Sequence, residues 1–366
     1  MMMNGLTNFG ELLKTHVIAG FGNPLLDMYT TIKGKTILDK YNLQPDGQKE
    51  VSNDEFCSLL STLQSENYST TQSPGGCAQN TLRLVQMLVN HSFFCVLFGG
   101  VGDDVEGELL ESEVKKCGVD TRYARNSAYP TGRVVSLING ENRSLVAHLG
   151  AAEVYTTEDF VTDDNVKIME EVSIVYIEGF FITHSFDVSL EVVKLCGNFS
   201  VPVVFNLSGA YLAEICPQQL TAMAAASDII IGNDVEYRAL ANILGLEDSS
   251  VEDIALKVHC SLWGNNLKLK CRSSHLERFG KTVVMTRGKT SVLCVCSDRH
   301  LIKFEVPYLD TKLIKDSTGA GDAFAAGFLV AYLQNKTATE CIGYGCNIAQ
   351  QVIQNVGVVL KNGNLL

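Results

Sequence analysis

Asp316-Ser317-Thr318-Gly319-Ala320-Gly321-Asp322 runs straight into Ala323-Phe324-Ala325-Ala326-Gly327-Phe328-Leu329-Val330-Ala331-Tyr332-Leu333. The second segment reads as a helix whose small residues let another backbone pack close. The first reads as the glycine turn that opens it, because Gly319 and Gly321 tolerate positive φ and close approach of a ligand. Free N–H groups of a first helical turn, together with the macrodipole, make an anion site. One carboxylate, Asp322, stands in that same turn. It would be repelled by a bound phosphate, unless its task is to take a proton from a hydroxyl attacking that phosphate. An anion hole paired with a base is what phosphoryl transfer from ATP to an alcohol needs. A bare G-x-G-D is a weak signal, since many α/β proteins start a helix this way. Seven residues followed by a small-residue helix form a stronger one.

Around this stretch, short apolar strands alternate with helical patterns. Val17-Ile18-Ala19-Gly20-Phe21, Phe93 to Phe98, Ile174 to Ile177, Val201 to Phe205, Asp228 to Ile231 and Thr282 to Met285 read as strands. Ala78 to Val89, Glu106 to Cys117, Asp187 to Cys196 and Gln218 to Ala226 read as helices. Continuous apolar strands with helical crossovers imply a mostly parallel sheet covered on both faces. Two stretches break the rhythm. Tyr29 to Val51 carries polar, alternating segments without a crossover helix. Gly132 to Ile138 and Arg143 to Leu149 read as a hairpin joined by Asn139-Gly140-Glu141-Asn142, a good turn signal. These two regions are expected to form a small sheet standing off the main body as a lid. The boundaries expected are 1–24, 73–126 and 154–366 for the large α/β domain, and 25–72 and 127–153 for the lid.

The chain has 366 residues, a net charge of −12 and twelve cysteines. That length suits one large core with a smaller appendage. The acidic balance argues against a broad face for nucleic acid or anionic lipid. A phosphate site must then be local, built from backbone N–H groups and a few arginines. The cysteines show no C-x-x-C pair and sit largely in apolar runs, the pattern of buried thiols in a reducing compartment. Cys294-Val295-Cys296 alternates along a strand, and its two sulfurs are expected on opposite sides. The scattered histidines offer no zinc spacing. Met1 to Lys14 has no signal-peptide pattern, and no apolar run is long enough to span a membrane. Cys260 to Gly280 reads as a surface excursion without chemistry.

Further constellations lie at strand ends. Gly22-Asn23-Pro24-Leu25-Leu26-Asp27 follows the first strand, where an acid can accept two bonds from a vicinal diol; alone, Asp27 is as readily a turn residue. Ser73-Pro74-Gly75-Gly76-Cys77-Ala78-Gln79-Asn80 puts a bare Gly-Gly turn before a helix, with Asn80 as a polar anchor. Asn233 and Glu236 fit a capping box. They also fit an outer shell for Mg²⁺, an ion that keeps several waters and takes few carboxylates. At Thr286-Arg287-Gly288 the backbone could pass beside nucleotide phosphates.

The stretch from Asp316 to Asp322 resembles the D-T-x-G-A-G-D signature of the ribokinase-like, or PfkB, carbohydrate kinases. Gly22 to Asp27, Gly75-Gly76 with Asn80, Asn142-Arg143-Ser144-Leu145, Gly179-Phe180-Phe181, Asn206-Leu207-Ser208 and Asn233 to Glu236 follow in the order seen in its adenosine kinase branch. The likeness covers roughly residues 16 to 355. It implies a three-layer ribokinase-like sandwich and transfer of a phosphoryl group from MgATP to the 5′-hydroxyl of adenosine. By motif position it implies Asp322 as base, with Gly319, Ala320 and Gly321 as anion hole and Arg143 near the transferring phosphate. Asp27, Gly75, Gly76, Asn80 and Asn206 would meet the ribose side. Asn23, Phe180, Gln48, Leu145 and Ala147 would enclose the base. Thr318, Asn233, Arg287, Gly288, Cys346 and Asn347 would lie along ATP, and Glu236 would order Mg²⁺. The resemblance further implies a cytoplasmic monomer, with the nucleus also open. Cys77, Gly209-Ala210-Tyr211, Ser317-Thr318, Asp234 and Cys346 depart from the usual residues, and none removes a catalytic group. Two alternatives stay open: a related kinase for another nucleoside or a sugar, and a silent relative that only binds nucleoside.

Overall fold

The computed structural model describes residues 16–45, 47–140, 142–246, 250–267 and 279–360. The Met1 to Lys14 segment and most of the Cys260 to Gly280 excursion lie outside them, as do the outer ends of the expected large domain.

Nine strands form the main sheet: β1 (Val17–Phe21), β5 (Phe94–Gly102), β6 (Val119–Asn126), β9 (Ile174–Glu178), β10 (Val203–Asn206), β11 (Ile229–Asn233), β12 (Thr282–Thr286), β13 (Ser291–Val295) and β14 (Leu301–Glu305). Their order is β14-β13-β12-β11-β10-β9-β1-β5-β6. All neighbours are parallel except the β12–β13 and β13–β14 pairs. Side chains alternate between the faces, as the pleat requires. Ile18, Leu97, Tyr176 and Ile231 pack under the helices Cys77–Val89, Ala320–Leu333 and Ala338–Ile353. Phe21, Phe98, Ile177 and Phe205 pack on the opposite face, under Phe186–Phe199, Pro217–Ala226 and Val251–Trp263. The result is a three-layer α/β sandwich with a mostly parallel centre, as expected.

Cys294 and Cys296 correct one expectation. Their sulfurs lie 3.9 Å apart, within one apolar cluster. Residues i and i+2 of a strand share a face, so the expected opposition was a miscount of the pleat.

The second sheet has five strands: β2 (Leu25–Thr31), β3 (Gln48–Glu50), β4 (Thr70–Gly75), β7 (Gly132–Asn139) and β8 (Asn142–His148), in the order β3-β8-β7-β2-β4. The hairpin β7–β8 pairs Arg133 with His148 through to Asn139 with Asn142. Helix Asn53–Ser65, absent from the sequence reading, covers one face. Its Phe56, Leu59 and Leu63 pack against Met28, Val135, Leu137 and Val146. Ser52 caps this helix by accepting from Glu55 N, which satisfies one orphan donor of its first turn. The residues between those in the strands, Asp27, Ser136, Arg143, Leu145 and Ala147 among them, line a cavity between the two sheets.

Candidate active site

The parallel strands deliver polar residues at their carboxyl ends, the edge where open α/β sheets bind ligands. β12 ends on Thr286, β11 on Asn233, β10 on Asn206 and β9 on Glu178, while β1 leads into Gly22 and Asn23. Registers Asn233–Thr286 and Asn206–Glu178 set these groups in one row. Above them lies a cavity of about 670 Å³.

Asp322 sits in the first turn of helix Ala320–Leu333, 6% exposed. Gly319 precedes the turn with φ +70°, and no side chain caps it. A Cβ on Gly319 would overlap a methyl of Val358. Asn80 Nδ2 donates to Asp322 Oδ2 at 3.1 Å, bridging two helices far apart in the chain. Burial pushes the Asp322 carboxyl up to about 6, against the lowering pull of Asn80, Cys77 and Arg143. A carboxylate tuned there can take a proton near neutrality.

Across the cavity Asp27 rises to about 7, chiefly by burial, with the Tyr29 hydrogen bond opposing and the Asp322 charge adding. Tyr29 Oη donates to Asp27 Oδ2 at 3.2 Å. Gly75 faces this carboxyl so closely that a Cβ there would fall inside it. Gly76, at φ +93°, presses as tightly on the Asn23 carbonyl.

Glu178 is the site residue that sequence reasoning missed. It is 1% exposed. Its Oε1 accepts from Asn23 N at 2.8 Å and its Oε2 from Ala78 N at 2.6 Å. One buried carboxylate thus ties the loop after β1 to the start of helix Cys77–Val89. Burial raises it to about 8, although the backbone donors and the Asp322 charge pull in opposite directions. The available signal was an acid closing an otherwise apolar run, Ile174-Val175-Tyr176-Ile177-Glu178.

Asn23 Nδ2 donates to the Phe180 carbonyl at 3.3 Å. Phe180 stacks on Tyr211, centroids 5.9 Å apart at 20°, leaving an aromatic wall opposite Gln48, Leu145 and Ala147. Asn206 Nδ2 donates to Tyr176 Oη at 2.7 Å. Arg143 reaches from β8 to Asp316, Nη1 to Oδ1 at 3.0 Å. Asp316 also accepts from Thr318 N at 2.9 Å, Thr318 Oγ1 and Gly357 N at 2.9 Å. A second contact joins β3 of the small sheet to the turn after β9, His184 Nε2 to Glu50 Oε1 at 3.2 Å. The Glu50 carboxylate raises the His184 imidazole, against its partial burial.

Glu236 and Asn233 form a reciprocal cap. Glu236 N donates to Asn233 Oδ1 at 2.9 Å, and Asn233 N and Nδ2 donate to the two Glu236 oxygens at 2.8 Å each. Burial raises Glu236 to about 7. Both its oxygens accept one bond each, and among the described residues no group of three or more acids, cysteines or histidines could hold a metal. This donor set fits Mg²⁺ only through the ion's own waters, using lone pairs the cap leaves open.

Of the expected residues, Asn23, Asp27, Gln48, Gly76, Asn80, Arg143, Leu145, Ala147, Phe180, Asn206, Asn233 and Glu236 line the cavity, as do Thr318 to Asp322. Gly75 lies just behind, under Asp27. Four stand apart. Arg287 turns to Ser291 and Glu252, and Gly288 shapes the β12–β13 turn at φ +55°. Cys346 is buried in the core cluster under the sheet, and Asn347 accepts from Gln351 on its own helix. Helix periodicity, not the site, decides where the last two point.

Comparison with known proteins agrees with this geometry. Residues 53–362 match the model of the pfkB family carbohydrate kinases. Adenosine kinase 1 of Arabidopsis thaliana is 30% identical, with 93% of this chain and 95% of the relative covered. Adenosine kinase of Saccharomyces cerevisiae is 30% identical over 92% and 94%. The crystal structure of Anopheles gambiae adenosine kinase in complex with P1,P4-di(adenosine-5) tetraphosphate superposes with a TM-score of 0.81 at 30% identity, covering 93% of this chain and 96% of that one. Adenosine kinase from Schistosoma mansoni in complex with 2-fluoroadenosine gives 0.84 at 25%, covering 96% and 99%. A family match over residues 53–362, relatives 30% identical over most of both chains and a matching fold around this buried acid leave one assignment: the chain belongs to the pfkB carbohydrate kinases, among the adenosine kinases.

Proposed function

We propose that this chain transfers the γ-phosphoryl group of ATP to the 5′-hydroxyl of adenosine, giving AMP and ADP. The observation that carries the reading is Asp322: a buried carboxyl raised to about 6, in a helix start that no side chain caps, facing a cavity that Asp27 also lines. Adenosine lies between the sheets, its ribose against Asp27, Gly76 and Asn80 and its base between Phe180 and the Leu145–Ala147 strand. ATP runs along the carboxyl edge of the main sheet, with its terminal phosphate over Gly319 to Gly321.

Asp322 then accepts the 5′-OH proton as the hydroxyl attacks the γ-phosphorus in line and the bond to the ADP oxygen breaks. Backbone N–H groups of the turn and Arg143 meet the charge on the transferred oxygens, an electrostatic effect that needs no rearrangement during the step. Glu236 and Asn233 would hold Mg²⁺ through the ion's own waters, and there it would supply neutralising charge to the phosphates. Residues 25–72 and 127–153 act as a lid domain on the remainder of the chain, and its closure excludes water as an alternative acceptor. The molecule works as a monomer in the cytoplasm, or in the nucleus.

The test is an ATP-coupled assay over adenosine, inosine, guanosine, ribose and fructose, with AMP identified directly. Adenosine is expected to lead the panel. A faster reaction with a free sugar, or adenosine binding by calorimetry with no ADP formed, overturns the reading.

A further inference from the structure

Arg83 is a cation in an unusual place for one, 8% exposed in the middle of helix Cys77–Val89. Its Nη1 donates to the Pro74 carbonyl at 3.0 Å and to Asn80 Oδ1 at 3.4 Å. Asn80, one turn earlier on the same helix face, uses its other amide atom, Nδ2, on Asp322. Flipping this amide would set its oxygen against the carboxylate and its NH₂ against the guanidinium, so the two charges select one orientation. Pro74 and Gly75 form the strand end that meets Asp27. Gln79 reinforces it: Nε2 donates to the Gly75 carbonyl at 2.6 Å, while Oε1 accepts from Tyr123 Oη at 2.6 Å.

We infer that Arg83 is a positioning residue for phosphoryl transfer, fixing the Asn80 amide on the base and the Pro74–Gly75 strand end on the ribose acid. It touches neither substrate. The inference rests on the reading of Asp322 as base. It explains why an arginine is kept where burial is costly: the Asp27 carboxyl, which Arg83 pulls downward, opposes its desolvation. The groups bearing on Asp322 itself are Asn80 and Cys77 from this helix and Arg143 from β8. Asp322 in turn acts on Asp27, Glu178 and Tyr176. The hydrogen bond from Asn80 pulls the Asp322 carboxyl down, against its burial. Losing its alignment therefore moves the acid limb of the rate profile upward.

The experiment compares kcat against pH for the full chain and for Arg83→Met, Arg83→Lys and Asn80→Ala, with folding checked by circular dichroism. Arg83→Met is expected to lower kcat at neutral pH about tenfold, a part of what a general base contributes. It should also raise the acid limb by about half a unit or more. Asn80→Ala should shift the limb in the same direction, and the double variant should shift it little further. Arg83→Lys, which keeps the charge and one donor nitrogen but on a shorter stem than the one that reaches Pro74 and Asn80, should fall between. If Arg83→Met does not fold, an Arg83→Lys limb equal to the parent's overturns the inference by itself. A folded Arg83→Met with reduced thermal stability and an unmoved limb makes Arg83 a structural residue and overturns it as well. A parent chain that forms no AMP from adenosine and ATP fails the functional reading instead, an outcome these variants cannot imitate.

Discussion

Two helices point their N-termini at the same cavity, and they begin in opposite ways. Helix Asp234–Ile243 is closed: Asn233 and Glu236 satisfy each other within three residues. Helix Ala320–Leu333 is open: Gly319 takes the left-handed conformation and offers no side chain. Each carries a buried acid, raised by its burial to about 7 at Glu236 and about 6 at Asp322. The acid of the closed helix is occupied by its own cap, whereas that of the open helix is held by Asn80 from elsewhere in the chain. A closed start gives its donors to the fold. An open one keeps them for a ligand, with the acid aimed at whatever the ligand meets.

That contrast breaks first at Asp322. Asp322→Asn is expected to cost about 10²–10⁴ in kcat, with adenosine affinity by calorimetry nearly unchanged; near-full turnover would remove Asp322 as the base. Gly319→Ala should come next. Its left-handed backbone costs a β-carbon about 1–2 kcal/mol, and the new methyl meets Val358. Chemical denaturation should show that loss, and kcat should fall with it as the anion hole distorts. At the closed start, Asn233→Ala should lower stability by about 0.5–2 kcal/mol through the lost cap, read as a shift in denaturation midpoint. A raised Mg²⁺ requirement is expected beside it; a stability loss with an unchanged Mg²⁺ titration would confine Asn233 to capping.

The remaining effect is in pH. As the proposed base, Asp322 must be ionised to act, so kcat should decline as pH falls through about 6. Stability runs the other way. Carboxyls raised in the folded state bind protons more tightly there than in the unfolded chain, so their stabilising contribution is complete below the ordinary carboxylate range. It is lost as pH climbs through the folded values of about 6 for Asp322, 7 for Asp27 and 8 for Glu178. Melting curves between pH 5 and 8.5, about the span of these values, should show stability decreasing while activity grows. Parallel trends would refute the assigned burial.

The large sheet and the open helix start were legible because each rests on local rules: apolar runs, helical crossovers and a glycine turn ahead of small residues. The small sheet was legible at its hairpin, Asn139-Gly140, but its helix Asn53–Ser65 was not read. Long-range groupings escaped for a different reason. Glu178 reads as the last residue of a strand, and nothing near it in the chain says that Asn23 and Ala78 will bring their N–H groups to it. Arg83 carries no local signal, and its bonds to Pro74 and Asn80 show only once β4 packs beside its helix. Cys346 was placed by family position and Arg287 by a strand end; the structure sets the first in the core cluster and pairs the second with Ser291 and Glu252. Motif spacing places a residue on an element; only the packed structure says which way it faces.

The tightness of the strand end at Gly75 and Gly76 bears on any attempt to redesign this pocket. Its floor is main chain already stripped of side chains, so nothing remains to trim there, and every addition collides with Asp27 or the Asn23 carbonyl. In the proposed reading, room for a bulkier or differently substituted sugar must come from side chains on the neighbouring strands of the same small sheet, at Val134, Leu145 and Ala147. Variants selected for new acceptors should accumulate on those strands and leave the floor untouched.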